Sequence, residues 1–194
     1  MKKKKPGQFL FSVVAGELKG KRISAPDLGI TRPPLTRLRK AIFDFLKPYL
    51  VDAAYLDLFS GTGSYLFEAV SRGAANATGV EMERQLADAI NVQAGKLGVA
   101  ERLTCLRDDV FKVIPRLAAR KIEFDIVMIA PPQYKGLIDQ TLKALSAVKL
   151  VRPDGLIVCQ HDTSETAKID FGEADIWQRR KYGNTTYTVI RPAH

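Results

Sequence analysis

The chain has 194 residues, 46% of them hydrophobic, enough to bury one good core and a small appendage. No apolar run approaches ~20 residues, which excludes a membrane-spanning helix, and two histidines (His161, His194) with two cysteines leave too little material for a zinc site or a Ser-His-Asp triad. The net charge of +9 is carried by residues 1–50, where twelve Lys and Arg face only Glu17, Asp27 and Asp44, so a neutral body with a basic arm points to a polyanionic partner, nucleic acid being the usual one.

Residues 1–8, with Lys2 to Lys5, read as a flexible basic tail. They mimic the start of a short signal peptide, but Pro6-Gly7 separates the charges from the apolar run 9–15, and a cytoplasmic location is expected. Residues 9–50 read as a basic hairpin and helix, and residues 51–194 as the main domain. Segments 9–15 and 21–25 alternate as strands around a loop with glycine at both ends, decorated by Lys19, Lys21 and Arg22. Thr31-Arg32-Pro33-Pro34 must be extended, because each proline keeps its predecessor out of the helical region. A helix then runs from Leu35-Thr36 to about Lys47, with Thr36 as its cap and Leu38, Ile42, Phe45 and Leu46 as its apolar stripe. Arg37 and Lys40 are neighbours on it, Arg39 lies on an adjoining flank, and Arg32 just precedes it. Such a group can pin phosphates, and the bland alternative is a solvated helix face.

The strongest pattern is Leu56-Asp57-Leu58-Phe59-Ser60-Gly61-Thr62-Gly63, which scans as a buried strand, a tight glycine-spaced loop and then a helix to about Arg72. Glycines let the backbone approach a ligand closely and turn sharply, so a cofactor can sit against bare amides. The acid precedes the glycines and no third glycine follows in register, so the loop departs from the dinucleotide fingerprint. It looks like the cofactor loop of S-adenosylmethionine-dependent methyltransferases. Residues 77–81 form the next strand and put Glu81 at its carboxyl end, about 20 residues past the glycine turn, where an acid can hold ribose hydroxyls. The alternative for Glu81 alone is a solvated, helix-capping acid.

A helix over 83–96 and a strand over 103–106 follow, with Asp108-Asp109 just beyond; Asp109 is preferred as an adenine acceptor, and Asp108 stays open. Residues 110–120 form a short helix in spite of Pro115, and 124–129, uniformly apolar, should be the central strand. A helix over 136–149, a strand over 155–161 and an antiparallel pair over 177–180 and 185–191 complete an α/β chain with a mostly parallel, helix-flanked sheet. Cys105 and Cys159 fall in core strands and read as reduced, buried hydrophobes.

Directly after the central strand comes Ala130-Pro131-Pro132-Gln133-Tyr134-Lys135-Gly136. Two prolines fix the backbone and remove two amide donors, leaving carbonyl oxygens free to accept. Methylation of an amine on a base needs such acceptors, because its lone pair is delocalised into the ring, and an aromatic side chain to hold the base in line.

Taken in order, Gly-x-x-Lys-Gly-Lys-Arg from Gly16, Thr31-Arg32-Pro33-Pro34, the Arg-rich helix, the Asp57 to Gly63 loop, Val80-Glu81, the Pro131 to Gly136 segment and Tyr182-Gly183-Asn184-Thr185 closely resemble the bacterial 16S ribosomal RNA guanine-N2 methyltransferases, over roughly residues 13–191. The resemblance implies a Rossmann-like, seven-stranded S-adenosylmethionine-binding sheet of class I, its last strand antiparallel, preceded by a β-hairpin and helix. It implies that Asp57, Ser60, Gly61 and Gly63 line the methionine end of S-adenosylmethionine, with Glu81 at the ribose and Asp109 at the adenine, and that Phe59 also belongs to the cofactor site. Lys19, Lys21, Arg22, Arg32, Arg37 and Arg39 would face 16S rRNA of the small ribosomal subunit or its assembly intermediate, with no metal and no membrane involved. One departure stands out. The family carries Asp or Asn, then Pro-Pro, then Tyr or Phe, but this chain has Ala130 in the acid's place and Gln133 in the aromatic's, with Tyr134 one step later. Loss of one well-placed polar group costs on the order of 3 kcal/mol, about a hundredfold in rate. Either the carbonyls of Ala130 and Pro131, held by Pro132 and helped by Gln133 and Tyr134, suffice, or the chain is a catalytically impaired member that binds cofactor and RNA in ribosome assembly. A DNA or protein amino-methyltransferase is a third expectation, disfavoured by the lack of a target-recognition region.

Overall fold

The computed structural model describes residues 7–29 and 34–192, so Lys2 to Lys5, Arg32 and His194 lie outside the described residues. A hairpin of β1 (Gly7–Ser12) and β2 (Arg22–Asp27) opens the chain, followed by α1 (Thr36–Leu50), β3 (Ala54–Asp57), α2 (Ser64–Ser71), β4 (Asn76–Glu81), α3 (Arg84–Lys96) and β5 (Leu103–Arg107). Then come α4 (Val110–Ala119), β6 (Phe124–Ile129), α5 (Leu137–Ser146), β7 (Val151–Asp162), a 3-10 turn (Thr163–Lys168), β8 (Asp175–Tyr182) and β9 (Thr185–Arg191).

Seven strands form one sheet in the order β5-β4-β3-β6-β7-β9-β8. Strands β3 to β7 are parallel, and β9 runs antiparallel to both of its neighbours. The apolar β6 takes the middle place, as its composition dictates. The chain steps outward from β3 to β4 and β5, then returns to start β6 on the other side of β3. Ligands of such sheets bind beyond the carboxyl ends of the strands at this reversal.

Period-two alternation divides the core between the two faces. Tyr55, Ile126, Met128, Leu156 and Val158 point to the side covered by α1, α2, α3 and the hairpin. Leu56, Val127, Ile129, Ile157 and Cys159 point to the side covered by α4 and α5. Strand β1 begins at Gly7, so residues 7 and 8, expected in the tail, belong to the hairpin. The hairpin and α1 share the first core through Phe11, Val13, Ile23, Leu38 and Leu46, so they are not a separate body.

Three expectations for α1 are corrected. Thr36 caps nothing; Leu35 holds the N-cap position and no side chain caps the helix. Phe43, not Phe45, completes the buried stripe, packing its ring 6.0 Å from both Tyr55 and Tyr65, whereas Phe45 turns edge-on to Trp177 of β8. Arg39 does not face outward at all. Its side chain is 1% exposed, donates to the Ser12 carbonyl at 2.5 Å and lies 3.4 Å from the buried Glu68 carboxylate. Glu68 also accepts from the Val14 and Ala15 amides and from Arg72, so one carboxylate joins the hairpin, α1 and α2.

Candidate active site

The carboxyl ends of β3, β4, β5, β6 and β7 open into one cleft of about 930 Å³, lined among others by Phe59, Gly61, Glu81, Asp109, Phe111, Ala130, Pro131 and Gln160. The loop from β3 to α2 is shaped by its own backbone. Leu58 N donates to Met128 O, Ser60 N to Val80 O and Gly63 N to Ser60 O, which closes the turn into α2. Gly63 is left-handed at φ +78, and a Cβ there would come within 2.7 Å of Ile90. Ser60 is buried and its hydroxyl donates to the Asp57 carbonyl.

Asp57 is fully buried at the end of β3. Its Oδ1 accepts a long 3.4 Å bond from Phe59 N, while Oδ2 has no partner among the described residues. Burial therefore pushes its carboxyl up to about 7, against which the Phe59 amide acts only weakly. Glu81 accepts from Gly61 N at 2.7 Å and from Glu83 N at 2.8 Å, and burial likewise raises its pKa. The expected ribose acid is thus also the strut that fixes the cofactor loop.

Asp109 is the N-cap of α4, accepting from Phe111 N at 2.7 Å. Asp108 receives the Asp109 amide and pairs with Arg116, and these hold its carboxyl below the usual range. Both line the cleft. The structure therefore brings Phe59, Gly61, Glu81, Asp109, Ala130, Pro131, Pro132 and Gln133 together on the cleft wall, with Asp57, Ser60 and Gly63 supporting the loop from behind.

Tyr134 is the exception. It does not line the cleft, although Gln133 and Lys135 on either side of it do. Its backbone is left-handed at φ +62, its amide donates to Glu165 Oε1, and its hydroxyl meets the Asp162 carboxylate, which raises its pKa. The ring is thereby turned toward the 3-10 turn, into a smaller cavity of about 250 Å³ behind the loop.

Lys19, Lys21, Arg22 and Arg37 are exposed, and Arg37 lies 5.7 Å over the Tyr182 ring at the end of β8. Four site features escaped the sequence reading. Gly79 must be small, since a Cβ there would lie 2.5 Å from Leu66 and 2.6 Å from Ser60 Oγ. Met82 and Phe111 give the cleft apolar walls. Gln160 lies on β7 one residue past Cys159, the partner of Ile129, and so stands beside Ala130. Only Gly79 had a local signal, as a glycine inside a strand marks close approach.

The donor set fits S-adenosylmethionine. A buried acid with an unused oxygen suits an ammonium group, Glu81 and Asp109 suit hydroxyls and an amino group, and Phe59, Met82 and Phe111 suit a flat ring. Among the described residues no helix is long and apolar enough to cross a membrane, and no group of three or more His, Cys, Asp and Glu could hold a metal ion.

Residues 11–191 match the protein family described as Conserved hypothetical protein 95. The chain is 30% identical over 164 residues to ribosomal RNA small subunit methyltransferase D of Escherichia coli K12, spanning 82% of this chain and 80% of that protein. It is 24% identical to a putative rRNA methyltransferase of Bacillus subtilis, over 92% and 97% of the two chains. Among solved structures, a putative methyltransferase from Escherichia coli superposes with a TM-score of 0.85 at 25% identity, covering 97% of this chain and all of that one. The fold is that of the class I S-adenosylmethionine-dependent methyltransferases, and the chain belongs to the Conserved hypothetical protein 95 family, a family of bacterial 16S ribosomal RNA methyltransferases.

Proposed function

We propose that this protein transfers a methyl group from S-adenosylmethionine to the exocyclic N2 amine of a guanine in 16S rRNA of the small ribosomal subunit or its assembly intermediate, in the cytoplasm. The observation that carries the reading is the convergence of Phe59, Gly61, Glu81, Asp109 and the Ala130-Pro131 segment on one cleft, with the buried Asp57 behind the loop that lines it. S-adenosylmethionine, when bound, supplies an activated methyl group on a positively charged sulfur.

Asp57 Oδ2 and the loop amides hold the methionine end, Glu81 the ribose and Asp109 the adenine. Pro131 and Pro132 fix the backbone so that neighbouring carbonyls accept the hydrogens of the target amine, which gains the methyl and gives up one hydrogen as a proton. Residues 9–50 supply the phosphate contacts, with Arg32 assigned there by its place in the sequence. An exposed loop nucleotide is the cheaper target, because a paired base must first be flipped out.

Ala130 favours a second reading, in which the chain binds cofactor and RNA with little turnover. The test is transfer of labelled methyl from S-adenosylmethionine to small-subunit particles lacking their guanine-N2 modifications, with mapping of the label. Label on a guanine N2 is expected. No label, with cofactor still bound in a parallel titration, selects the second reading, and Ala130→Asp should then raise the rate by about a hundredfold.

A further inference from the structure

Resting on that reading, the geometry points to Gln160, backed by Tyr65, as the group that replaces the missing carboxylate at position 130 and reads the N2 and N3 edge of the target guanine. The parallel register pairs Ile129 with Cys159, so Ala130 and Gln160, one residue further along each strand, stand side by side. Both belong to the face that carries Met128 and Val158, and Asp57, paired with Met128, ends β3 on that face too. The strand next to the shortened side chain thus projects a polar one to the same side.

Gln160 is the one residue of β7 that lines both the large cleft and the 250 Å³ cavity behind residues 131–136. The Tyr65 hydroxyl donates to its Oε1. Tyr65 is itself buried at the start of α2 and stacked on Phe43, so it has little freedom to follow a moving partner. Among the described residues the amide makes no other hydrogen bond, which leaves one Oε1 lone pair and both Nε2 hydrogens free. A guanine presents the complementary pair on that edge, an N2 hydrogen to donate and N3 to accept. Gln133, the other amide at the loop, is exposed and unheld, so it offers no fixed direction.

Accepting an N2 hydrogen in a fixed direction biases the amine lone pair toward the reacting methyl, the work an acid at position 130 would do. Tyr65 is then a positioning residue, acting only through Gln160.

The test uses full-length protein, small-subunit particles and S-adenosylmethionine. Gln160→Leu should lower kcat roughly a hundredfold, with KM for the particles within about twofold because RNA affinity resides in distant cations, and with unchanged cofactor affinity. Tyr65→Phe should lower kcat about fivefold to tenfold. Gln160→Leu combined with Ala130→Asp should recover at least tenfold of the loss, a rescue that a merely structural role cannot produce. Wild-type kcat in Gln160→Leu, or a loss that Ala130→Asp does not restore, overturns the assignment. An inactive wild type instead removes the reading on which it rests.

Discussion

Asp57 enters the folded state as an acid with too few partners, and this has a measurable sign. In the unfolded chain its carboxyl ionises near 3.9, whereas burial raises it to about 7 in the fold. Between these values the folded state keeps a proton that the unfolded state has lost. Its contribution to stability is therefore fully present below about pH 4, falls as pH rises, and is gone above about pH 7. Asp57→Asn removes this dependence, and urea denaturation of the cofactor-free protein at pH 5 and pH 8 should show the variant gaining on wild type by on the order of 2–4 kcal/mol at the higher pH. The same change should weaken cofactor binding, since an amide carries no charge for an ammonium group. An unchanged pH profile would show that Asp57 is ionised in the folded protein. Asp57, Glu81 and Asp109 were legible because each follows an apolar strand in sequence, and a parallel sheet puts all such ends together. Arg39 and Tyr134 were not. The partner of Arg39 is Glu68, 29 positions away, and the aim of Tyr134 is set by Glu165 and Asp162 across the cavity. Composition carries no trace of either.

The hairpin, α1 and α2 are held by a buried ionic joint rather than by apolar packing alone. Glu68 is completely buried and receives the Val14 and Ala15 amides, Arg72 and Arg39, while Ser71 binds the Leu18 amide and the Ala15 carbonyl. Removing one partner of such a joint leaves a buried charge uncompensated. Glu68→Ala should cost about 3–5 kcal/mol in chemical denaturation, and it should loosen the hairpin first, seen as faster amide exchange at Val14, Ala15 and Leu18 than at the β6 amides. Equal exchange across the two regions would mean that the hairpin is held by its apolar contacts. Strand and helix alternation gave the order of these elements correctly, since period-two and period-3.6 patterns are local. The phase of α1 was misread because two apolar flanks compete, Phe43 facing the sheet and Phe45 facing Trp177, and only the position of β8 decides between them.

Across the molecule, exposed basic groups stand at both ends of the sheet: Arg37, Arg180 and Lys181 lie by Tyr182 at its carboxyl end, whereas Lys19, Lys21 and Arg22 crown the hairpin loop that packs on Ser71 and Arg102 at its amino end. If three hairpin cations each meet a phosphate, replacing all three with Ala should lower the salt dependence of RNA binding by a slope of about 2, read from affinities across a series of salt concentrations. Arg39→Met should leave that slope unchanged, because its charge never reaches the solvent. Loss of slope in Arg39→Met would return that residue to the RNA surface. The joint at Glu68 also has a consequence during synthesis. The hairpin is made first, yet its anchors lie 53 or 54 positions later on α2, and Gln93 of α3 holds the Ser24 carbonyl from 69 positions away. At ribosomal rates of about 5–20 residues per second, the nascent basic arm waits roughly 3 to 14 seconds for its seat. During that interval its cations are undocked beside the rRNA of the ribosome that is translating it.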